Sequence, residues 1–338
     1  MKKGLLLLFY SPLFLMAQQT YVPDDNFEQA LINQGYDNML DDYVATANID
    51  ILTYLDVSYQ NIYDLTGIED FTVLSILYCG VNALTILDIS NNTALTSLNC
   101  GNNYLTNLDV SQNTALTFLD CRSNQLTSLD VSLNTALTSL DCGNNYLSNL
   151  DVSNNTNFEY LVCDKNSLTS LDVSANTALA ELFCEENQLT SFDVNTITAL
   201  EILYCYDNQL FCLDISNNIN LDILNCSNNL LEQLNTRNSN WANLDILADS
   251  NNLTCVEVDN LGYANNNWLN AFDNSVTFNT NCNYTNPCAT VSDIQEYSTN
   301  TELLKITDLL GRETKNTKNK VLFYIYDDGT VEKGIVIE

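Results

Sequence analysis

The stretch LTSLNCGNNYLTNLDVSQNTA, residues 95–115, is one copy of a unit that recurs every 21 residues through the middle of the chain. Eight cysteines keep this step without a slip: Cys79, Cys100, Cys121, Cys142, Cys163, Cys184, Cys205 and Cys226. A leucine two residues before each cysteine and an asparagine three residues after it keep the same step. So strict a period indicates a stack of coils, each of which buries its apolar side against its neighbours.

Apolar and polar residues alternate within each coil, which is the pattern of a half-buried strand. In 98–100 the leucine and the cysteine point inward and the asparagine points outward. Residues 108–110 repeat the alternation and predict a second strand on the opposite wall of the coil. A polar bend is expected to follow at 111–114.

The motif L-x-x-L-x-C-x-x-N-x-L, as in residues 95–105, resembles the leucine-rich repeat motif with a cysteine in its third apolar position. The resemblance covers roughly 51–255. It implies that each coil adds a short strand to one parallel sheet, and that the asparagine turns inward to bond backbone groups of the bend. The predicted fold is a β-rich solenoid of leucine-rich repeats with a 21-residue coil, a helical N-terminal cap and a small C-terminal β segment.

The solenoid is expected to span 51–252 and to carry a cap, because its first coil would otherwise expose apolar surface. In the N-terminal cap, 18–50, Asp24 and Asp25 suit the positive end of a helix and Gly35 is suited to stop it. Three apolar residues share one face of that helix: Phe27, Ala30 and Leu31.

A different segment, 253–288, breaks the repeat and is the predicted C-terminal cap. Trp268 and Phe272 can cover the last open coil. Cys255 and Cys282 flank this segment, and we expect them to form a disulfide, which would be worth about 3–4 kcal/mol in the chain-entropy model. Two separate thiols are the alternative.

Charge is strongly one-sided in the body of the chain. Residues 18–300 contain three bases against 36 acids, a net charge of −33. Such a surface repels nucleic acid and anionic lipid and attracts divalent cations or basic partners. Solubility alone is the simpler explanation.

Both ends of the chain carry features of export. Residues 1–17 have the lysines, the apolar run and the small final residue of a secretory signal peptide. No other run is long enough to span a membrane, so we expect no transmembrane span and a protein that is secreted or held at the outer cell surface.

The tail within 289–338 resembles the type A C-terminal sorting signal of type IX secretion, found in Bacteroidetes-like bacteria. The matching residues include Gly311, Arg312, Asp328, Gly329 and Lys333, whereas the usual P-N-P opening is missing. The resemblance implies the type IX machinery as a partner, removal of the tail, and release or anchoring at the surface. The residues themselves predict two strands, 321–326 and 332–337, that pair through a turn.

Most catalytic sites are excluded by composition. The chain has no histidine, which rules out Ser-His-Asp and Cys-His arrangements, and it has no glycine-rich phosphate loop. Its carboxylates recur as a repeated decoration and not as a unique pair. We therefore expect no enzyme, and a glycan-acting enzyme is a remote alternative.

Two periodic rows, one of cysteines and one of aspartates, consist of residue types that can bind metal ions. The cysteines are expected to be reduced and to pack as small hydrophobes, with no metal site. Seven aspartates form an outward row, the aspartate ladder: Asp88, Asp109, Asp130, Asp151, Asp172, Asp193 and Asp214. Their repulsion can be offset by hydrogen bonds from the serines that follow two residues later, or by calcium, which prefers oxygen ligands. No cofactor is predicted, and calcium is left as the open alternative.

The outward positions of the predicted inner strands vary from coil to coil, whereas the structural positions repeat. The later coils gather an aromatic and acidic set, the candidate binding residues: Tyr160, Val162, Phe183, Ile202, Tyr204, Tyr206, Glu181 and Glu185. An exposed aromatic patch with a charged rim is typical of a binding surface. Strand propensity of the same residues is the alternative explanation.

The sequence thus favours a secreted or cell-surface leucine-rich repeat protein that binds a protein or a glycan through its open sheet, without catalysis. The second hypothesis is a structural acidic surface protein that calcium stabilises.

Overall fold

The computed structural model describes residues 18–284, 288, 303–307, 321–326 and 331–335. It divides into two compact units, 1–288 and 289–338. The first unit is a solenoid of stacked coils with a cap at each end. The second unit contains three strands and is described separately below.

A ten-stranded parallel sheet forms one wall of the solenoid. Its strands are β3 (Tyr54–Asp56), β4 (Ile76–Tyr78), β5 (Ser97–Asn99), β6 (Phe118–Asp120), β7 (Ser139–Asp141), β8 (Tyr160–Val162), β9 (Glu181–Phe183), β10 (Ile202–Tyr204), β12 (Ile223–Asn225) and β14 (Asp245–Leu247). Neighbouring strands pair in register, so that Leu98 lies opposite Leu119. Equivalent residues therefore stand in columns, which confirms the predicted solenoid with its 21-residue coil.

The opposite wall differs from the prediction. No strand is present at 108–110, and a second parallel sheet begins only at β11 (Cys212–Asp214) and continues through β13 (Gln233–Asn235), β15 (Cys255–Glu257) and β16 (Thr277–Asn279). In the earlier coils this wall makes one backbone bond per coil, such as Gln125 N–H to the carbonyl of Leu105 at 2.8 Å. A ladder needs repeated bonds of this kind, so one bond per coil does not make a strand here.

The core is a set of leucine columns beside the cysteine column. All eight periodic cysteines are buried free thiols. Burial raises the pKa of Cys79 and of Cys226 to about 12, because the thiolate would lose its hydration. At that pKa the side chains are neutral and pack as small hydrophobes. Each fully buried leucine beside them contributes about 1.5–3 kcal/mol.

One asparagine column ties each coil to the coil before it. The side-chain amide of Asn103 donates to the carbonyls of Cys79 at 3.1 Å and Cys100 at 3.0 Å. Its Oδ1 accepts the N–H of Leu84 at 3.0 Å. The inward turn that the leucine-rich repeat resemblance implies for this residue is therefore present.

A second asparagine column lies in the bend that the sequence assigned only to polar residues. Asn113 is fully buried and donates to the carbonyls of Ile89 at 3.1 Å and Asn92 at 2.9 Å. The Oδ1 atoms of this column have no partner among the described residues: those of Asn92, Asn113, Asn134, Asn155, Asn176 and Asn218. The amide donor, and not the carbonyl, is thus what this position supplies to the fold.

The aspartate ladder is held by local backbone donors. Asp109 Oδ1 accepts the N–H of Ser111 at 2.9 Å, and equivalent bonds occur along the row. These bonds lower the pKa of Asp109, although Asp130 and Asp88 repel its charge. The serines therefore offset the repulsion, as the sequence suggested.

The N-terminal cap begins with β1 (Gln19–Tyr21) and α1 (Asp25–Asn33) and continues through β2 (Tyr43–Ala45) and α2 (Thr46–Ile49). Asp24 caps α1 by accepting the N–H groups of Asn26 and Phe27 at 2.9 and 3.0 Å. Gly35 follows the helix with a φ of 82°, in the left-handed region that suits glycine. The predicted apolar face, Phe27, Ala30 and Leu31, is buried against the first coil.

The C-terminal end is closed by α3 (Leu261–Asn267) and two disulfides. Trp268 and Phe272 are buried, and both rings contact Phe278. The structure contains the bridge expected between Cys255 and Cys282, with a Cα–Cα distance of 5.9 Å. A second bridge, which the sequence analysis missed, joins Cys212 to Cys288 at a Cα–Cα distance of 5.6 Å.

The second unit contains β17 (Leu303–Thr307), β18 (Val321–Tyr326) and β19 (Val331–Ile335) in one antiparallel sheet. The predicted pairing of 321–326 with the strand that follows it is present. Four of the matched sorting-signal residues, Gly311, Arg312, Asp328 and Gly329, and the leader at 1–17 lie outside the described residues. Lys333 lies in β19. Among the described residues, no helix combines the length and the apolar character needed to cross a bilayer.

Candidate binding site

The candidate binding residues come together on the ten-stranded sheet, in the strands and at their carboxyl ends. The in-register pairing places Tyr160, Glu181 and Ile202 in one column and Val162, Phe183 and Tyr204 in the next. The central residue of each strand points into the core, so these two columns face outward. Tyr206 lies two residues beyond the end of β10.

An uninterrupted run of aromatic rings crosses three coils. The ring centroids of Tyr160 and Phe183 are 5.8 Å apart, those of Phe183 and Tyr204 are 5.2 Å apart, and those of Tyr204 and Tyr206 are 6.3 Å apart. Such tilted and edge-to-face pairs add about 0.5–1.5 kcal/mol each beyond burial. The rings pack against one another, and all of them are half-buried. We call this surface, formed by Tyr160, Phe183, Tyr204 and Tyr206, the aromatic ridge.

The last residue of the strand, which is Val162, Phe183 or Tyr204 in these three coils, has a structural role in most other coils. In other coils the last residue of the strand accepts a backbone N–H two residues later: Asn99 from Gly101, Asp120 from Arg122, Asp141 from Gly143, and Asn225 from Ser227, at 3.1–3.2 Å. Val162, Phe183 and Tyr204 cannot accept this bond. Tyr78 and Leu247, near the two ends of the sheet, are isolated exceptions. Three consecutive coils thus replace a stabilising acceptor with an outward apolar group.

The sequence predicted Glu185 in an exposed charged rim, and that prediction is wrong. Glu185 is only 8% exposed, and its Oε2 atom has no hydrogen-bond partner among the described residues. Burial raises the pKa of Glu185 to about 7. Glu185 lies two residues beyond the end of β9 and lines a hollow together with Tyr160 and Phe183.

Two basic side chains flank this region and pair with other acids. Arg122 lies 3.6 Å from Asp120 and 3.3 Å from Asp141. Lys165 lies 3.8 Å from Asp164 and 3.4 Å from Glu186. Burial raises the pKa of three of these carboxyls, those of Asp120, Asp141 and Asp164, against the lowering effect of the bases.

A surface hollow of about 350 Å³ lies between these groups, and we call it the Glu185 hollow. Its lining comprises Arg122, Ser123, Asp141, Gly143, Asn144, Tyr160, Val162, Asp164, Lys165, Phe183 and Glu185. A Cβ atom at Gly143 would collide with the Asp164 carboxylate, so the glycine leaves room for that side chain. Sequence reasoning missed Arg122 and Asp141 as members of this site. The scarcity of bases was the available signal, since Arg122 and Lys165 are two of only three in 18–300.

A larger polar hollow of about 710 Å³ lies on the opposite wall, beside β11, β13 and β15. It includes Arg237, whose guanidinium lies 3.1 Å from the Glu257 carboxylate. Nowhere in the described part of the chain do three or more acids or cysteines converge as metal ligands would.

No family model matches the chain. In sequence, a 72-residue segment is 36% identical to internalin J of Listeria monocytogenes serotype 4b (strain F2365). That segment is 21% of this chain and 8% of the relative, so the similarity covers a small part of the longer protein.

Solved structures match over a longer stretch. The functional domain of InlJ from Listeria monocytogenes, described as including a cysteine ladder, is 35% identical with a TM-score of 0.56, over 72% of this chain and 58% of that one. A leucine-rich repeat protein of Leptospira interrogans is 22% identical with a TM-score of 0.59, over 70% of this chain and 62% of that one. Internalin C2 of Listeria monocytogenes is 23% identical with a TM-score of 0.57, over 61% and 96%.

These similarities and the register of the coils agree on the architecture. The chain spans about three fifths of the first two structures that it matches. Its fold is the parallel-strand solenoid of leucine-rich repeat proteins.

Proposed function

We propose that this chain is a secreted or cell-surface leucine-rich repeat protein that binds a protein or glycan ligand through its open parallel sheet, without catalysis. The observation that carries the proposal is the run Val162, Phe183 and Tyr204. These residues lack the side-chain oxygen that accepts a backbone N–H in the coils on both sides. Strand propensity of the same residues is the alternative explanation, and the adhesion of a variant without the two rings tests it.

The surface location rests on several independent features. The leader at 1–17 favours export, and the tail resemblance favours passage through the type IX machinery. The two disulfides fit an oxidising compartment. Similarity to internalins supports a binding or adhesion role and not an enzymatic one.

Replacement of the aromatic ridge tests the proposal. The double variant Phe183→Ser, Tyr204→Ser should keep the circular-dichroism spectrum and a cooperative melt, and should lose adhesion to cultured cells and to a panel of immobilised polysaccharides. A matched control is the double variant Phe211→Ser, Tyr146→Ser, which removes the same two ring types from exposed positions off the sheet. Equal adhesion of both variants and the native protein would contradict the proposal.

The competing hypothesis is a structural protein that calcium stabilises, and a separate measurement tests it. If calcium against chelator shifts the melting temperature by several degrees, and the ridge variant adheres normally, the structural role is the better account. Turnover in a screen of glycan substrates would instead favour the enzyme alternative.

A further inference from the structure

We infer that the Glu185 hollow receives a cationic side chain, lysine or arginine, from a protein ligand. This inference rests on the proposed function, because it names the chemical group that the open sheet would recognise. It also selects a protein over a neutral glycan as the ligand.

The first argument is the state of Glu185 itself. The residue is more than nine-tenths buried, and its Oε2 atom lacks a hydrogen-bond partner among the described residues. An unpaired buried polar group costs about 1–3 kcal/mol, and more when it is charged. Glu185 lines the hollow, so a ligand that brings a positively charged donor to its carboxylate offsets that cost, and affinity would be concentrated here.

The second argument is that the nearby bases are committed elsewhere. Arg122 donates to Asp141 at 3.3 Å, and the ammonium of Lys165 lies between Asp164 and Glu186. Neither forms an ion pair with Glu185 within the described structure. Both bases are about half exposed and line the hollow together with Glu185.

The third argument is the aromatic wall. Tyr160 and Phe183 line the same hollow as Glu185. A cation over an aromatic face gains about 0.5–2 kcal/mol, and the alkyl stem of a lysine or arginine also packs well on such rings. Phe183 offers no hydrogen bond to a sugar hydroxyl. A buried acid beside aromatic rings therefore suits an ammonium or guanidinium group.

A metal ion is a poorer occupant of the hollow. Calcium requires six to eight oxygen ligands. Three acids line the hollow, Asp141, Asp164 and Glu185, but no group of three or more acids in the described part of the chain is arranged to hold a metal ion. The charge of the surrounding surface adds a long-range preference, since the net charge of −33 over 18–300 would steer a basic partner toward the sheet.

The experiment uses small probes in place of the unidentified ligand. The three probes are the blocked peptides Gly-Arg-Gly, Gly-Lys-Gly and Gly-citrulline-Gly, titrated at pH 8 and followed by ligand-observed NMR. Citrulline keeps the shape of arginine but has no charge. We expect the arginine or lysine peptide to bind at least tenfold more tightly than the citrulline peptide. We also expect Glu185→Gln to weaken that binding at least tenfold.

The matched control is Glu201→Gln, which removes the same charge from an exposed residue in the turn before β10. It should leave peptide binding within twofold of the native protein. If Glu185→Gln fails to melt cooperatively, Asp164→Asn replaces it as the test variant and should weaken binding at least threefold. Equal binding of the charged and citrulline peptides overturns the inference. Equal weakening by the test and control variants also overturns it, because only the overall charge would then matter.

Two further results separate this inference from the proposed function. Peptide binding that depends on Glu185, in a protein that adheres to nothing, would support the inference and contradict the proposed function. Adhesion that depends on Phe183 but is unaffected by Glu185→Gln would do the reverse, and would favour an uncharged ligand such as a neutral glycan.

Discussion

The side-chain amide of Asn145 donates a hydrogen bond to the backbone carbonyl of Cys121, 24 residues earlier in the chain, at 3.2 Å. The same amide reaches the carbonyl of Cys142 at 3.1 Å, and its Oδ1 accepts the N–H of Leu126 at 3.0 Å. One buried side chain therefore holds two neighbouring coils at a fixed offset.

Asn145→Ala should lower the free energy of unfolding by about 2–4 kcal/mol, because several buried backbone groups lose their partner at once. Urea denaturation measures the change. Asn149→Ala, at an exposed position of the same coil, is the control and should stay within about 0.5 kcal/mol of the native protein. Similar losses in the two variants would show that the amide does not couple the coils.

The cysteine column should be chemically silent in the folded protein. Its thiols are buried and their pKa values are raised by burial, so the reactive thiolate is scarce and inaccessible. A thiol reagent should label none of the eight in native conditions and all eight in guanidinium. The remaining four cysteines should resist labelling until a reductant is added: Cys212, Cys255, Cys282 and Cys288. Rapid native labelling at any column position would contradict this arrangement.

Val81 occupies a backbone conformation that suits asparagine better. Its φ is 55°, and a β-branched residue is strained in this left-handed region. None of the seven equivalent positions holds a β-branched residue, and three hold asparagine: Asn102, Asn144 and Asn228. Val81→Asn should therefore raise the free energy of unfolding by about 1 kcal/mol, judged from the usual cost of such strain.

The control for this change is Val73→Asn, also at a partly exposed valine but outside the left-handed region. Thermal and urea unfolding of both variants supply the comparison. Stabilisation by both would point to a solubility effect, and stabilisation by neither would remove strain as the explanation.

Glu185 should make stability depend on pH in the direction opposite to a salt-bridged acid. Burial raises its pKa to about 7 from 4.5, so the folded protein retains a proton that the unfolded chain releases. Stability contributed by this residue therefore falls as pH rises from about 4.5 to 7 and stays low above that. The charged groups that face it, Asp164, Glu186 and Lys165, are unchanged by its replacement.

Glu185→Gln should consequently be more stable than the native protein at pH 8, by roughly 1–2 kcal/mol after allowance for solvent screening, and equally stable at pH 4. Urea midpoints measured at both pH values give the difference. Glu201→Gln should show no such change between the two pH values. A Glu185→Gln variant that is less stable at pH 8 would mean that the carboxylate is paired in the folded state.

The repeated part of the architecture could be predicted from the sequence because its determinants are periodic. The cysteine column marks eight of the ten strands of the main sheet, and the asparagine at 103 and its equivalents mark the bend. Helix α1 was also predictable, since Asp24 and Gly35 act through local backbone chemistry.

The remaining features depend on contacts that no period reveals. The bridge between Cys212 and Cys288 joins residues 76 apart, and neither belongs to the column. Glu185 looked exposed because its column faces outward, but the depth of that position depends on which rings stand beside it. The late start of the second sheet depends on backbone bonds between neighbouring coils, which the apolar and polar alternation at 108–110 does not reveal.

The exact register of the coils has a consequence for inheritance. A deletion of residues 116–136 would join Ala115 directly to Leu137, and every leucine, cysteine and asparagine column would remain continuous. Recombination between neighbouring repeats can therefore change the number of coils while the protein still folds. The distance between the N-terminal cap and the aromatic ridge is thus a quantity that mutation can adjust in whole-coil steps, independently of the residues that form the ridge.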